Sequence, residues 1–227
     1  MSKRCEVTIT CPKCNEEHPF VMWQSINTQL DPEMRAAVKD RSAFQFICPT
    51  CGEKTYVDYG FLYHQMEDGI MIHYASSDED AEEIYKMVTN KEQDSLFHDM
   101  LDADYLIRIV RSQNELREKI SIFDEGLDDR IIEIIKLFVL AKYQEQNSGD
   151  KSIALYYVKK EEGDCIEIYG DDGYKGHFVI PKGLYDDMYK EYSGKIPDMR
   201  KDDPFIDRQW AIENLNPEKK KERSEKA

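Results

Sequence analysis

Long apolar runs are absent from this sequence of 227 residues. No stretch approaches the roughly 18 consecutive apolar residues from which a membrane-spanning helix is inferred, so we expect no membrane span. The N-terminal stretch MSKRCEVTITCPKC has basic residues at positions 3 and 4 but lacks the apolar segment of a secretory signal. These two absences lead us to expect a cytoplasmic protein.

Local signatures of catalysis are also missing. The sequence contains no G-x-S-x-G nucleophile turn, no H-E-x-x-H zinc-protease motif and no glycine-rich phosphate-binding loop. Because many active sites have no local motif, this absence weakens the case for an enzyme without removing it. We expect a protein without enzymatic activity and keep an enzyme as an alternative.

Basic residues are too few to balance the acidic ones, and the net charge is −15. Residues 61–180 hold most of it, with 13 basic and 27 acidic residues. Acidic charge repels phosphate, so we expect no binding of bulk nucleic acid. Residues 1–60 are almost neutral, with 7 basic and 8 acidic residues, so a local nucleic-acid contact through them remains open.

Four of the six cysteines form two Cys-Pro-x-Cys pairs separated by 33 residues. In a reducing compartment such pairs are more often metal ligands or redox groups than structural disulfides. Four thiolates can close a tetrahedral site, which leaves no open position for catalysis. We therefore predict one structural Zn²⁺ held by Cys11, Cys14, Cys48 and Cys51.

The residues around each pair favour metal-binding turns over a redox dithiol. Proline follows the first cysteine, and Asn15 or Gly52, which tolerate left-handed backbone angles, follows the second. A redox pair sits at a helix N-terminus, whereas strand-like segments precede both pairs here. We expect His18 to lie at the surface or outside the ligand shell, and Cys5 and Cys165 to be inert buried thiols.

Hydrophobic periodicity predicts an α+β fold. Zinc-ribbon-like β-hairpins at 6–24 and 43–59, integrated with a helical segment, are followed by a small β-meander plus helix domain. Further short strands are predicted at 61–65 and 70–75. The predicted domains are 1–147 and 150–216, with a disordered charged tail at 217–227. The last helix is expected to start at Asp203-Pro204.

The predicted helix at 129–146 is apolar on nearly every side, so we expect it to be buried. The C-terminal domain is one candidate to cover it, and a second copy of the chain is the other. A homodimer is therefore an open alternative, and we expect a protein partner without being able to identify it.

The sequence resembles the CpXC domain, a bacterial and archaeal family named for its paired motifs. The resemblance rests on CPKC, DPEMRAA, CPTCG, FLYHQMEDGIMIHY and NELREKISIFDEGLDDRIIEIIKL, and covers roughly residues 8–145. Asn15 stands where the family's motif usually has glycine. The resemblance implies zinc binding and no particular activity, and it says nothing about residues beyond 150.

Three other residues are candidates for chemistry. His64 and His73 flank a predicted hairpin turn, and Asp128 belongs to the acidic run FDEGLDDR. Gly126 and Asp128 are explained as the stop of one helix and the cap of the next, and the run lacks calcium-loop spacing. Seven tyrosines in the last third hint at a binding face.

The leading hypothesis is a zinc-binding protein with a structural four-cysteine site that acts as a protein-interaction or adaptor module. A nucleic-acid-associated zinc ribbon regulator is the alternative. An enzyme with a site near His64, His73 and Asp128 is the third.

Overall fold

The computed structural model describes residues 2–89, 105–147, 149, 152–196, 198 and 203–215. The chain forms two compact units, Met1–Arg117 and Glu118–Ala227. The described elements of the first unit are β1 (Lys3–Thr10), β2 (Glu17–Asn27), α1 (Glu33–Lys39), β3 (Gln45–Ile47), β4 (Lys54–Tyr56), β5 (Phe61–Gln65), β6 (Ile70–Tyr74), α2 (Asp78–Thr89) and β7 (Leu106–Val110). The division between the units falls within α3 (Gln113–Asp124). The second unit continues with α4 (Asp129–Gln146), β8 (Ala154–Lys160), β9 (Gly163–Gly170), β10 (Gly173–Val179), α5 (Leu184–Tyr192) and α6 (Arg208–Leu215).

The first unit is built on a five-stranded sheet in the order β1-β2-β5-β6-β7. β1 with β2 and β5 with β6 are antiparallel, whereas β2 with β5 and β6 with β7 are parallel. Parallel neighbours need a crossover connection. The crossover from β2 to β5 contains α1 and the separate β3–β4 hairpin, so the second cysteine pair lies in an insertion between two neighbouring strands.

Six aromatic side chains form the core beneath the two hairpins of the first unit. Neighbouring rings lie with their centroids 5.3 to 6.4 Å apart. This aromatic cluster consists of Phe20, Phe44, Phe46, Tyr59, Phe61 and Tyr74. The rings of Phe46 in β3 and Phe20 in β2 pack edge to face with their centroids 6.4 Å apart. Such aromatic pairs stabilise a fold beyond the contribution of their buried area. The cluster thereby holds the short hairpin against the large sheet.

The mixed α+β fold with N-terminal hairpins is confirmed. β5 and β6 follow the predicted strands at 61–65 and 70–75, and α4 follows the predicted helix at 129–146. None of the described helices is long and apolar enough to cross a bilayer. The predicted domain limits at 147 and 150 stay a prediction, and the predicted tail at 217–227 lies outside the described residues.

The predicted start of the last helix is wrong. The helix begins at Arg208, because the carboxylate of Asp207 accepts a hydrogen bond from the Trp210 amide at 2.9 Å and so caps the first turn. The carboxylate of Asp203 instead accepts from the Phe205 amide two residues on, at 2.8 Å, which forms a local turn.

Side-chain caps set the limits of α3 and α4. The Glu115 amide donates to the Ser112 hydroxyl at 3.2 Å, and the Glu115 carboxylate accepts from the Arg111 amide at 2.7 Å. Between the helices, Gly126 has φ of 68°, which is the left-handed value of a helix stop. Asp128 then accepts from the Arg130 amide at 3.0 Å. The stop and the cap predicted from FDEGLDDR are confirmed.

The second unit packs α4 against β8, α5 and α6 of the same unit. β8, β9 and β10 form an antiparallel sheet with β9 in the centre. Residues 129–136 of α4 are all buried, whereas Phe138 in the second half of the helix is 53% exposed. The expectation of burial therefore holds for the N-terminal part of α4, and its C-terminal part retains an apolar surface.

Five charged side chains are buried together between α3 and α4. Lys136 contacts Glu118 and Glu133, each at 2.9 Å. Lys119 contacts Asp129 at 2.9 Å and Glu133 at 3.5 Å. All five residues are buried, and we call them the buried ion network. It holds three carboxylates and two amines, so its formal charge is −1 when all are ionised.

Backbone groups anchor the buried ion network at two further points. The Tyr157 amide of β8 donates to Glu118 at 2.7 Å, and the Lys119 amine donates to the Ile206 carbonyl at 2.7 Å. Burial raises the pKa of Glu118, and Glu133 adds to the effect while Lys136 opposes it. Although burial disfavours the charge of Lys136, Glu118 and Glu133 raise its pKa overall. Lys136 is therefore the cation on which two buried carboxylates depend.

Substitution of Lys136 tests this dependence. Lys136→Met leaves two buried carboxylates uncompensated, so we expect a loss of about 3–5 kcal/mol in the free energy of unfolding. Glu133→Gln removes the excess negative charge, and the Oε2 atom of Glu133 has no hydrogen-bond partner among the described residues. We therefore expect this control to change the free energy by less than about 1 kcal/mol.

Denaturant unfolding can follow the second unit alone. The chain has two tryptophans, and Trp23→Phe leaves Trp210 of α6 as the fluorescent probe. Equal midpoints for Lys136→Met and its parent would contradict the assigned role of Lys136.

Candidate metal centre

The two cysteine loops have the same backbone construction. One spans residues 11–16 at the tip of the β1–β2 hairpin, and the other spans 48–53 at the tip of the β3–β4 hairpin. In each, the first cysteine's amide donates to the carbonyl five residues on, and its carbonyl accepts from the residue four positions on. In the first loop, the Cys11 amide donates to the Glu16 carbonyl at 2.9 Å, and the Asn15 amide donates to the Cys11 carbonyl at 3.0 Å. In the second loop, the Cys48 amide donates to the Glu53 carbonyl at 2.8 Å, and the Gly52 amide donates to the Cys48 carbonyl at 2.9 Å. One turn geometry is thus used twice.

A left-handed residue closes each loop as the sequence predicts. Asn15 has φ of 58° and Gly52 has φ of 73°. Glycine adopts such angles without steric cost, and asparagine tolerates them better than most residues. These two residues turn the chain away after the second cysteine, so that both thiols of a pair remain on one side of the loop.

The structure brings the four predicted cysteines into one cluster. The Sγ atoms of Cys11 and Cys51 are 3.6 Å apart, as are those of Cys14 and Cys48, and all four lie within 4.8 Å of one another. Four sulfurs placed about 2.3 Å from a central zinc at tetrahedral corners would be about 3.8 Å apart. A disulfide would bring two sulfurs to about 2.0 Å. The cysteines are free thiols, and their spacing could hold a metal ion.

Hydrogen bonds favour ionisation of one thiol in particular. The amide of Cys14 lowers the pKa of Cys11 to about 6, with a further contribution from the amide of Lys13. The amide of Glu16 favours the Cys14 thiolate, but burial and the neighbouring thiols raise the pKa of Cys14 to about 12. Without a cation the cluster cannot hold several thiolates, because the charges repel. A divalent cation would remove that repulsion, and its binding would release protons.

Contacts outside the thiols join the two loops. The Lys13 amine lies 3.1 Å from the Glu53 carboxylate. The His18 ring Nε2 lies 3.2 Å from the Thr50 hydroxyl, and the ring packs 6.1 Å from that of Phe46. The cluster of possible ligands does not include His18, so its predicted place outside the ligand shell agrees with the structure.

The two remaining cysteines differ from each other. Cys5 is half-buried rather than buried, and Cys165 is fully buried. Cys165 lies with Glu162 and His177 in a second cluster of possible ligands. This cluster has no signature in the sequence, because its members come together only when β9 and β10 pair. Cys165 had no cysteine or histidine at a short, recognisable spacing.

His64 and His73 are buried in the large sheet of the first unit. They are diagonal neighbours on β5 and β6, and each is 6% exposed. Burial lowers the pKa of His73 to about 4 and also lowers that of His64, whose Nε2 lies 3.2 Å from the Tyr105 hydroxyl. Both imidazoles are therefore neutral at pH 7.

Asp128 is occupied in capping and ion pairing. Its Oδ2 lies 2.7 Å from Nη2 of Arg130, in addition to the amide hydrogen bond at the start of α4. It belongs to the second compact unit, whereas His64 and His73 belong to the first. One member of the buried ion network, Asp129, follows Asp128 directly, and the other four lie along α3 and α4. The only local signal of this network was the presence of charged residues within an otherwise apolar helical stretch.

The family model described as "CpXC protein" matches residues 9–136, which is more than half of the chain. The match contains both cysteine loops and ends at Lys136, the last member of the buried ion network. No curated protein and no solved structure matches the chain.

Elemental analysis of the purified protein tests the metal. We expect one tightly held zinc per chain after gel filtration. Cys48→Ser should weaken zinc binding at this site by more than about 100-fold, because even outer-shell changes cost 10–100-fold. Cys5→Ser is the matched control and should retain the metal.

Amide hydrogen exchange should show where the metal acts. In Cys48→Ser we expect faster exchange in β3 and β4 and little change in β5 and β6, which belong to the large sheet. Protein that carries iron or no metal, or a Cys48→Ser variant with unchanged zinc, would contradict the assignment.

Proposed function

Because the chain belongs to the CpXC protein family, we propose that it is a zinc-binding protein-interaction module whose zinc has a structural role. The four clustered thiols support this proposal. They would fill all four positions of a tetrahedral ion, so that neither water nor substrate could reach the metal. The zinc would then fix the β3–β4 hairpin, and recognition would take place elsewhere on the surface.

An apolar groove in the second unit carries the interaction part of the proposal. The groove has a volume of about 220 Å³ and lies among α4, β10 and α5. It is lined by Ile135, Phe138, Val139, Lys142, Phe178, Leu184 and Met188. An apolar cavity of about 150 Å³ is enough to hold a benzene ring. The groove is therefore large enough for one aromatic or branched aliphatic side chain of a partner.

The one charged residue in this lining indicates the chemistry of the partner. The Lys142 amine lies 5.5 Å from the centre of the Phe178 ring, at the edge of the apolar surface. Phe138 is 53% exposed, an exposure that leaves its ring available for contact. We propose that the partner is a protein segment that inserts an apolar side chain beside Phe138 and places a carboxylate near Lys142.

The alternatives receive less support. A homodimer through the same groove would require a second copy to supply the inserted side chain. A nucleic-acid-associated ribbon would require basic charge on the cysteine loops, but Lys13 is compensated by Glu53 at 3.1 Å. His64 and His73 are buried and neutral, so they offer no exposed acid or base for an enzyme.

Phe138→Glu tests the groove without removing a buried side chain. We expect this variant to lose a partner that is retained by the wild type, since a charge in the groove opposes insertion of an apolar group. Leu30→Glu is the matched control, because Leu30 is also an exposed apolar residue, at 59%, and belongs to the first unit. Quantitative affinity capture from the native host compares the three proteins.

Two outcomes contradict the proposed partner. Equal recovery of each captured protein by the wild type and Phe138→Glu would show that the groove is not the interaction surface. Light scattering over a range of protein concentrations tests whether a second copy of the chain occupies the groove. A wild-type dimer that Phe138→Glu dissociates and Leu30→Glu preserves would identify a second copy as the occupant.

A further inference from the structure

A second cluster of possible metal ligands lies in the three-stranded sheet of the second unit. It consists of Glu162 in the turn between β8 and β9, Cys165 in β9 and His177 in β10. In the pairing of β9 with β10, Cys165 lies opposite Val179 and Glu167 lies opposite His177. Cys165 and His177 are therefore diagonal neighbours on one face of the sheet, and the turn brings Glu162 to the same place.

The three ligand atoms of this cluster lie close enough together to reach one ion. The Nε2 atom of His177 lies 3.0 Å from Oε1 of Glu162, and the three ligand atoms all lie within 4.8 Å of one another. A zinc ion about 2.0–2.3 Å from each of three atoms requires mutual distances of roughly 3.3–3.8 Å at tetrahedral angles. Adjustment by up to about 1 Å, through rotation of the exposed Glu162 and His177 side chains, would meet this requirement.

The other ring nitrogen of His177 is held by a tyrosine. Nδ1 of His177 lies 2.9 Å from the hydroxyl of Tyr174. The register of β10 against β9 shifts between Tyr174 and Gly176. Histidine ligands of metals almost always make such a second hydrogen bond, which fixes the tautomer and the ring orientation. With Nδ1 turned to Tyr174, Nε2 points to Glu162 and remains the nitrogen available to a metal.

The charges around Cys165 favour a divalent cation. Glu167 lies 3.0 Å from Lys160, and Asp164 lies 3.0 Å from Lys159, an amine that it shares with Glu125. The Glu162 carboxylate contacts the His177 ring, which carries a positive charge only when it is protonated. One carboxylate and one thiolate together would balance the two charges of the ion.

From this geometry we infer that Glu162, Cys165 and His177 bind a second metal ion, a divalent transition metal that accepts sulfur and nitrogen ligands, with Zn²⁺ the first candidate. The mixture of thiolate, imidazole and carboxylate suits zinc or cobalt and does not suit magnesium or calcium, which prefer oxygen. The family match ends at residue 136, so all three ligands of this second site lie outside it, whereas the four cysteines lie within it.

The two sites differ in openness. Three protein ligands leave one tetrahedral position for water or another ligand, whereas four thiolates leave none. The side chains of His177 and Glu162 are 30% and 47% exposed, so solvent reaches the second site. We expect the second ion to bind more weakly and to exchange, while the ion of the four-cysteine centre stays in place.

Cobalt titration of the full-length, zinc-loaded protein tests the second site. With the four-cysteine centre filled by zinc, added Co²⁺ should bind as one further equivalent and produce a sulfur-to-cobalt charge-transfer absorption of one thiolate. Cys165→Ser should abolish this absorption, and His177→Gln and Glu162→Gln should each weaken cobalt binding by more than about 100-fold. Glu161→Gln, the neighbouring exposed acid, is the matched control and should change binding by less than about twofold.

Each outcome decides the inference. Absence of the further equivalent in the wild type overturns it, and so does an absorption that persists in Cys165→Ser. If Cys165→Ser fails to fold, as judged by circular dichroism, His177→Gln and Glu162→Gln replace it. Both substitutions alter exposed side chains. If neither of them weakens cobalt binding relative to Glu161→Gln, the inference is also overturned.

Discussion

The meeting of two hairpin tips at four thiols is the constraint on which the first unit depends. β3 and β4 have three residues each, and a two-stranded hairpin of that size is not stable alone. It is held at one end by the cysteine cluster and along one face by the contact of Phe46 with Phe20. The hairpin is inserted in the crossover that connects the parallel strands β2 and β5. The cysteine cluster and the aromatic packing therefore both hold the hairpin in place.

The second unit is stabilised in a different way. It has no comparable group of thiols among its described residues, and charged side chains occupy the interior between α3 and α4. A buried ion pair is costly to form, and breaking one partner costs more than the pair contributes. Separation of α3 from α4 would deprive the buried amines and carboxylates of their partners, so the network favours the observed packing of the two helices. This preference comes from the cost of breaking the ion pairs.

Two kinds of metal chemistry are compatible with this chain. The four-cysteine cluster is closed and suits a structural ion, which supports a role in presenting a surface. The cluster of Glu162, Cys165 and His177 has one position free and faces solvent in part, so an ion there could exchange or accept a further ligand. The apolar groove beside Phe138 lies in the same unit as this second cluster. The proposed interaction surface and the proposed second metal site therefore both lie in the second unit, whose residues beyond 136 lie outside the family match.

The sequence by itself determined those features that depend on neighbours in the chain. Periodicity predicted β5 and α4, the spacing and left-handed residues of the loops predicted the four-cysteine cluster, and Asp128 was identified as a cap. Only the tertiary structure decided which distant residues meet. The parallel pairing of β2 with β5, the ion pairs of Lys136 and the contact of Glu162 with His177 have no local signature. Local patterns report the conformational preference of a segment, whereas these contacts arise from strand pairing and helix packing between segments that are far apart in the chain.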